Sequence, residues 1–254
     1  MLNNRSIAIG SHVGFARKGA KNYRALTGTI ALTNDSAAVV GTGTAFDDDL
    51  EVGQTLRVGD YTLTISVITD GTHLTIDAVF AGDTAAGLTA FREAGTLAGP
   101  TVKPVTVIPA HWLNFGSVSA ATFEPNLKSS TVIAPLAGGG IYQPKTIVPV
   151  GFSPMLKLTT NEINELILES LYCGAGPIVN GANFVPGGGT GLIEGWLQIK
   201  RYAGNTLELI VEQYGFLSVK TEKADGSGKH IEPEYEFAVM GNALAVGNST
   251  LASI

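Results

Sequence analysis

The stretch YTLTISVITDGTHLTID, from Tyr61 to Asp77, decides the fold class, because apolar and polar residues alternate along it. Every second residue is apolar up to Val67, and the alternation resumes over Leu74–Ile76, after the turn residues Asp70 and Gly71. A period of two on both sides of an Asp-Gly pair predicts a β-hairpin with one buried face.

The residues on either side extend this hairpin into a small β module. Ala37–Val40 and Thr55–Val58 are predicted to form further short strands. Between them, GTGTAFDDDLEVGQTLRVG (Gly41–Gly59) reads as tight turns around a solvated acidic loop. A calcium site at Asp47–Asp49 is the alternative, which the contiguous spacing of the aspartates disfavours. We place the module at residues 27–93, which carry ten acids and two arginines.

The rest of the chain, residues 1–26 and 94–254, is predicted to form one discontinuous β domain. Strand-like segments follow one another from Thr106, with turn residues between them. The stretch TLAGPTVKPVTVIP (Thr96–Pro109) contains three prolines. It reads as an extended linker or sheet edge, since proline cannot donate to a sheet ladder.

One segment of this domain, TTNEINELILESLYCG (Thr159–Gly174), predicts a helix. Its apolar residues recur at helical spacing: Ile163, Leu166, Ile167 and Leu171. Thr159 with Glu162 predicts a capping box, Gly174 is placed at C′, and the glutamates are expected on the outer face. The fold class is therefore mainly β: a β-sandwich or barrel with one flanking α-helix, plus an inserted small all-β domain.

The sequence shows no catalytic, cofactor-binding or metal-binding constellation. The four histidines lack paired ligand spacing: His12, His73, His111 and His230. ADGSGKH (Ala224–His230) lacks the leading glycine and the Ser or Thr after lysine that a phosphate-binding loop needs, so it reads as a hairpin tip. The glycine runs Gly138–Gly140 and Pro186–Gly191 read as flexible loops. We expect no enzyme activity, no cofactor and no bound metal.

Composition favours association between copies. Charged residues are 15% of the chain, apolar residues are 44%, and mean hydropathy is +0.23. Chains with so few charges often hide apolar surface against copies of themselves. The net charge of -6 argues against a general nucleic-acid binder. The sequence predicts neither a signal peptide nor a membrane span, and the single cysteine, Cys173, is expected to be buried.

Two groups of residues resemble bacteriophage virion proteins. IAIGSHVGFARKG (Ile7–Gly19) resembles the opening strand of major tail tube proteins of long-tailed phages. WLNFGSVSAATFEPNLKSSTVIAPLAGG (Trp112–Gly139) is similar to their next segment, and LKLTTNEINELILESLYCG (Leu156–Gly174) to the stretch that ends in their helix. From Gly41 onward, the GTGT-x-F start and the T-x-L-T-I strand resemble a small β module found within many phage virion proteins.

The resemblance implies a tail-tube-type fold and a structural role in the virion tail of a siphophage, assembled in the host cytoplasm. Six copies would close a β-barrel ring, and stacked rings would form a tube for genome ejection. The implied partners are further copies of the chain, tape measure proteins, and tail terminator or tip proteins. Double-stranded DNA would pass through the lumen without specific binding, no membrane would be involved, and the acidic module would decorate the exterior.

Two other hypotheses remain open at this point. Another phage virion structural protein, such as a head decoration protein or a tail-fibre segment, would fit the module alone. A carbohydrate-active β enzyme is the third hypothesis, which the aromatic content of 7% disfavours.

Two sets of residues are candidates for roles in such a tube. A DNA lumen would favour acids over bases, and strand alternation puts Glu208 with Glu212 on one face, and Glu232, Glu234 and Glu236 on one face. The ordinary solvent side of a sheet explains the same acids equally well. The basic residues before the module are predicted to pair with acids of a neighbouring subunit, with a solvated loop as the alternative: Arg17, Lys18, Lys21 and Arg24.

Overall fold

The computed structural model describes residues 9–105, 108, 111–116, 118–124, 127–135, 142–152, 154–160, 165–174, 176–177, 186–204, 206–221 and 233–247. These residues are mainly β, which confirms the predicted fold class. The chain divides into two compact units: unit 1 comprises residues 1–15 and 114–254, and unit 2 comprises residues 16–113.

The elements in chain order are β1 (Ile9–Arg17), β2 (Lys21–Ala25), β3 (Thr29–Leu32), β4 (Ala38–Thr42), α1 (Phe46–Asp49), β5 (Thr55–Val58), β6 (Tyr61–Asp70), β7 (His73–Ile76), β8 (Ala85–Leu88), β9 (Phe91–Thr96), β10 (Leu113–Asn114), β11 (Val118–Glu124), β12 (Leu127–Pro135), β13 (Tyr142–Phe152), β14 (Met155–Thr160), α2 (Glu165–Leu171), β15 (Ile193–Ala203), β16 (Thr206–Thr221) and β17 (Glu234–Gly247). The larger sheet of unit 1 has the order β10-β1-β15-β16-β17-β14-β11, and β12 pairs with β13 in a separate sheet. Unit 2 has eight strands in the order β2-β9-β5-β6-β7-β4-β3-β8.

Aromatic side chains build the core of unit 1. Tyr214 of β16 and both Tyr235 and Phe237 of β17 have no exposed surface. Phe115 packs edge-to-face on Tyr235 with ring centroids 4.9 Å apart, and Phe15 packs on Phe237 at 6.4 Å. Burial of such rings dominates the energetics of a core because each removes a large apolar area from water.

Unit 2 has its own core, which the predicted alternation locates. Its buried cluster includes Leu63 and Ile65 of β6, Leu74 and Ile76 of β7, and Phe46 of α1. The predicted Asp-Gly hairpin is confirmed, since β6 and β7 pair antiparallel across Gly71 and Thr72.

The alternation of β6 does not persist through Val67. The register skips Ser66, so that Ile65 opposes Ile76 and Val67 opposes Thr75. Such a bulge reverses the faces beyond it. Val67 is accordingly 50% exposed, although the period-two pattern placed it with the buried residues.

The boundaries of unit 2 lie outside the predicted module, residues 27–93. Strand β2 precedes that range, and it pairs with β9 in the same sheet. The stretch predicted as a linker, Thr96–Pro109, also contributes buried residues, because Leu97 and Ile108 are 1% and 2% exposed. A proline-rich composition therefore did not indicate a free connection here.

The predicted helix is confirmed over Glu165–Leu171, and the predicted caps at Thr159 and Gly174 are wrong. Residues 161–164, which include Glu162 of the predicted capping box, lie outside the described residues. Thr159 lies in β14, where it pairs with Ala120 and Glu234, and Ile163 lies outside the described residues. At the C-terminal end of α2, Cys173 has a φ of 50° and takes the left-handed C′ position that is predicted for Gly174. Gly174 N–H then donates to the carbonyl of Glu169 at 2.8 Å, as in a Schellman motif.

The inner face of α2 also differs from the prediction. Leu166 and Ile167 are fully buried as expected. Glu169, expected on the outer face, is only 6% exposed, whereas Leu168 is 39% exposed.

Candidate functional site

One face of the unit 1 sheet carries a row of charges across the strands. Because Tyr235 and Phe237 of β17 are buried, strand alternation puts Glu234 and Glu236 on the opposite face. The register sets Glu236 between Ser218 of β16 and Lys157 of β14. We call this set of charged side chains on β11, β14, β16 and β17 the charged face.

Lysines neutralise acids of the charged face within the same chain. Lys220 Nζ lies 3.0 Å from Glu236 Oε2, and Lys157 Nζ lies 2.9 Å from Glu124 Oε1. The hydrogen bond to Glu124 raises the pKa of Lys157, and the charges of nearby acids add to the effect. Each pair is partly exposed and contributes little to stability. Two acids of the face are therefore paired with lysines, which the list of acids alone did not indicate.

Glu212, predicted among lumen-facing acids, is buried within its own chain. It is 2% exposed, and its Oε1 accepts a hydrogen bond from Gln198 Nε2 at 2.7 Å. A buried carboxylate with such a partner is a structural group that cannot meet a water-filled lumen. The pairing of β15 with β16 produces this contact, because the two residues are opposite each other in the register.

Strand alternation does not place the other two predicted acids, Glu208 and Glu232. At Glu208 the register of β16 shifts, since Arg201 opposes Leu209 while Tyr202 opposes Leu207. Strict alternation therefore does not relate Glu208 to Glu212. Glu232 lies outside the described residues.

A second polar contact, which is partly buried and which the sequence did not reveal, joins β15 and β16. Tyr214 Oη donates to Glu194 Oε1 at 2.6 Å, and the ring packs edge-to-face on Trp196 at 5.4 Å. Burial raises the pKa of Tyr214, and the hydrogen bond to Glu194 raises it further, so the phenol stays protonated. The residues are 20 positions apart, and no local pattern pairs them.

The four basic residues predicted to contact a neighbouring subunit differ in ion pairing and in exposure. Lys21 Nζ forms an ion pair with Glu93 Oε2 at 2.9 Å, so its partner is in its own chain. The pairing of Lys21 with an acid of a neighbouring subunit stays a prediction. The side chains of Lys18 and Arg24 are exposed and that of Arg17 is half-buried, and their pairing with another subunit stays a prediction.

The glycine-rich run predicted as a flexible loop, Pro186–Gly191, closes the end of α2. Gly187 N–H donates to the carbonyl of Tyr172 at 2.8 Å, and Gly189 N–H donates to that of Cys173 at 2.6 Å. Ser170 Oγ donates to the carbonyl of Gly191 at 2.6 Å. The bond to Tyr172 satisfies one of the carbonyls that a helix end leaves without a partner, and the other two bonds fix the glycine-rich run beside it. In the sequence, the only sign of this contact is a glycine run that follows the predicted helix. Such a run does not predict that the loop binds to the end of the helix.

Two sets of strands present edges that could pair with another chain. In the larger sheet of unit 1, β11 is a terminal strand. Strands β12 and β13 pair antiparallel from Leu127↔Phe152 to Pro135↔Tyr142. Within the described residues neither is hydrogen-bonded to a further strand. We call the β12–β13 pair the long hairpin.

The acidic stretch of unit 2 forms a short helix, α1, on the surface. Asp47 and Asp48 are exposed. Asp49 is partly buried, and its Oδ1 lies 3.6 Å from Arg92 Nη2. Among the described residues, no group of three or more histidine, cysteine or acidic side chains is placed to hold a metal ion. In the same part of the chain, no helix has the length and apolar character needed to cross a membrane.

Comparison with known proteins gives no relationship. No family model matches the chain, and neither a curated protein nor a solved structure is significantly similar to it.

Proposed function

We propose that this chain is a structural subunit of a bacteriophage tail tube, forming stacked hexameric rings around a lumen through which DNA passes. The long hairpin is the observation that carries the proposal. An isolated two-stranded hairpin is only marginally stable in water. Strands of nine and eleven residues therefore call for a further partner, and a second copy of the same chain supplies one by strand addition.

The prolines of the long hairpin limit how its edges can pair with a strand of another chain. Pro144 and Pro149 lie within β13, and Pro135 ends β12. Proline is confined to edge strands and bulges because it lacks the N–H that a ladder needs. Edge prolines also protect against indiscriminate strand pairing. The arrangement fits an edge that pairs in one register within an assembly.

The lysine–acid pairs of the charged face are compatible with a conduit. In the proposal this face is turned toward the lumen, where Lys157 and Lys220 are already held by Glu124 and Glu236. Lysines engaged in this way would bind passing phosphates less strongly than free ones, since phosphate contacts dominate DNA affinity. Tape measure, terminator and tip proteins, and a virion location, belong to the same proposal.

Negative-stain electron microscopy of the purified chain, with light scattering of the same sample, tests the proposal. We expect stacked rings or tubes. A variant in which residues 129–148 are replaced by a short Gly-Gly turn should remain folded by circular dichroism and lose assembly. The control is Asp48→Ala, in the exposed part of α1, which should assemble normally. A monodisperse monomer of the unaltered chain under all conditions, or normal tubes without the hairpin, would contradict the proposal.

A further inference from the structure

A buried histidine holds the segment that follows β9 against unit 2. His111 is 8% exposed, and its ring centroid lies 5.1 Å from that of Tyr23 in β2. The neighbouring Trp112 Nε1 donates to the carbonyl of Val105 at 3.4 Å. We call the described residues that follow β9, namely 97–105, 108 and 111–113, the covering segment.

Through His111, the covering segment contacts the face of the sheet opposite to the main core. Leu56 and Val58 of β5 belong to the core cluster of unit 2. Thr55 and Arg57 alternate with them and so point to the other face. Tyr23 Oη is 3.0 Å from Thr55 Oγ1, which places the Tyr23 ring, and His111 against it, on that second face.

The surroundings of His111 favour its neutral form. Burial lowers the pKa of the imidazole, and the positive charge of Arg57 lowers it too, against an opposing effect of the Val105 carbonyl. Neither ring nitrogen makes a hydrogen bond of normal geometry. A proton on this ring would therefore add a second positive charge at a desolvated site beside Arg57.

The charged groups on the strands beneath do not offset that proton. Strand β5 brings Arg57, β2 brings the phenol of Tyr23, and β9 brings Glu93, which is opposite Tyr23 in the register. Glu93 Oε2 is already bound by Lys21 Nζ at 2.9 Å and by Thr55 Oγ1 at 2.8 Å. Its carboxylate is thus committed to other donors.

We propose that neutral His111 acts as a latch for the covering segment, and that protonation of His111 releases the segment from the sheet at mildly acidic pH. Release would expose the Tyr23 ring and Trp112, while the opposite face and its core cluster stay packed. The opened face is then an apolar and aromatic surface that is accessible only at acidic pH. This latch is a property of unit 2 and does not depend on the proposed tail-tube role.

Trp112 is a built-in probe for the latch, because the chain has two tryptophans and the other, Trp196, is in unit 1. In a Trp196→Phe background, acrylamide quenching and the emission maximum of Trp112 are followed between about pH 8 and about pH 5, the range in which histidine titrates. We expect low quenching at the upper end. At the lower end quenching should rise toward that of an exposed indole, with a red shift, while the far-UV circular dichroism is retained.

Two variants attribute the change to His111. His111→Phe keeps a ring against Tyr23 but does not titrate, so its Trp112 should stay protected over the whole range. His111→Gln serves the same purpose if the phenylalanine variant does not fold. His73→Gln, at the exposed hairpin tip, should behave as the unaltered background does.

Three outcomes would overturn the latch. Trp112 of the background could stay protected at low pH, or the non-titrating His111 variant could show the same rise in quenching. The far-UV signal could also be lost together with Trp112 protection, which would mean that unit 2 unfolds as a whole.

Discussion

The backbone N–H of Val219 in β16 donates a hydrogen bond to Ser170 Oγ at 2.8 Å, which ties α2 to the sheet of unit 1. The same hydroxyl donates to the carbonyl of Gly191 at 2.6 Å. One side chain of 6% exposure therefore joins a helix, a strand and the glycine-rich run, three parts of the chain that are distant in sequence.

Ser170→Ala should destabilise unit 1 by about 1–3 kcal/mol, because it leaves the N–H of Val219 and the carbonyl of Gly191 without their partner. The free energy of unfolding can be measured by urea titration of Trp196 fluorescence. Leu168→Ala, on the exposed side of the same helix, is the control and should cost distinctly less. Equal effects of the two substitutions would contradict this role of Ser170.

Gly191→Ala should cost more stability than Gly187→Ala. Both glycines have positive φ, 71° and 77°, so each substitution carries the strain of a left-handed residue, about 1 kcal/mol. A Cβ on Gly191 would also lie 2.8 Å from the carbonyl oxygen of Ser170, whereas the space around Gly187 is open. Thermal unfolding of the two variants measures the difference, and an equal shift in Tm would count against close docking of the glycine-rich run.

Phe46→Ala should strongly destabilise unit 2, by about 3–5 kcal/mol, as is usual when a buried phenylalanine is truncated. The ring has no exposed surface and belongs to the core cluster of this unit. Val52→Ala is the matched control, since Val52 is 63% exposed. Unfolding monitored through Trp112 reports on unit 2, and similar midpoints for both variants would show that Phe46 does not anchor the core.

The Lys21–Glu93 pair should give unit 2 a component of acid sensitivity. Burial favours a higher pKa for Glu93, but hydrogen bonds from Lys21 and Thr55 outweigh it and lower the pKa below its ordinary 4.5. A lowered folded-state pKa means that the stabilisation is present above about pH 4.5 and is lost as pH falls through the folded value.

Glu93→Gln should therefore lower stability near neutral pH and flatten the loss of stability below about pH 4.5. Urea midpoints measured at several pH values in a His111→Phe background, in which Trp112 is expected to stay protected, provide the check. Asp83→Asn, an exposed substitution in unit 2, is the control and should leave the pH profile unchanged. A Glu93→Gln profile parallel to that of the unaltered chain would refute the assignment.

The sequence predicted much of the local structure, because period-two alternation and turn chemistry act between near neighbours. The β6–β7 hairpin and the apolar face of α2 at Leu166 and Ile167 were both predicted from such patterns. The cap at Thr159 was wrong, since strand pairing with Ala120 and Glu234 overrides a local capping signal.

The candidate site was less predictable. Alternation predicted that Glu234 and Glu236 share one face, and the structure adds that Tyr235 and Phe237, which alternate with them, are buried. It did not show that lysines from neighbouring strands pair with Glu236 and Glu124, nor that Glu212 is enclosed with Gln198, because those contacts depend on register between strands.

The sequence by itself determined that this is a mainly β chain with an Asp-Gly hairpin, a short amphipathic helix and few charges. Tertiary structure alone decided that Val67 turns outward at a bulge, that Lys21 meets Glu93 across 72 positions, and that Leu97 and Ile108 of a proline-rich stretch are buried. The reason is physical: alternation and turn preferences are local, whereas register, bulges and docking follow from which strands lie side by side and which surfaces must be removed from water.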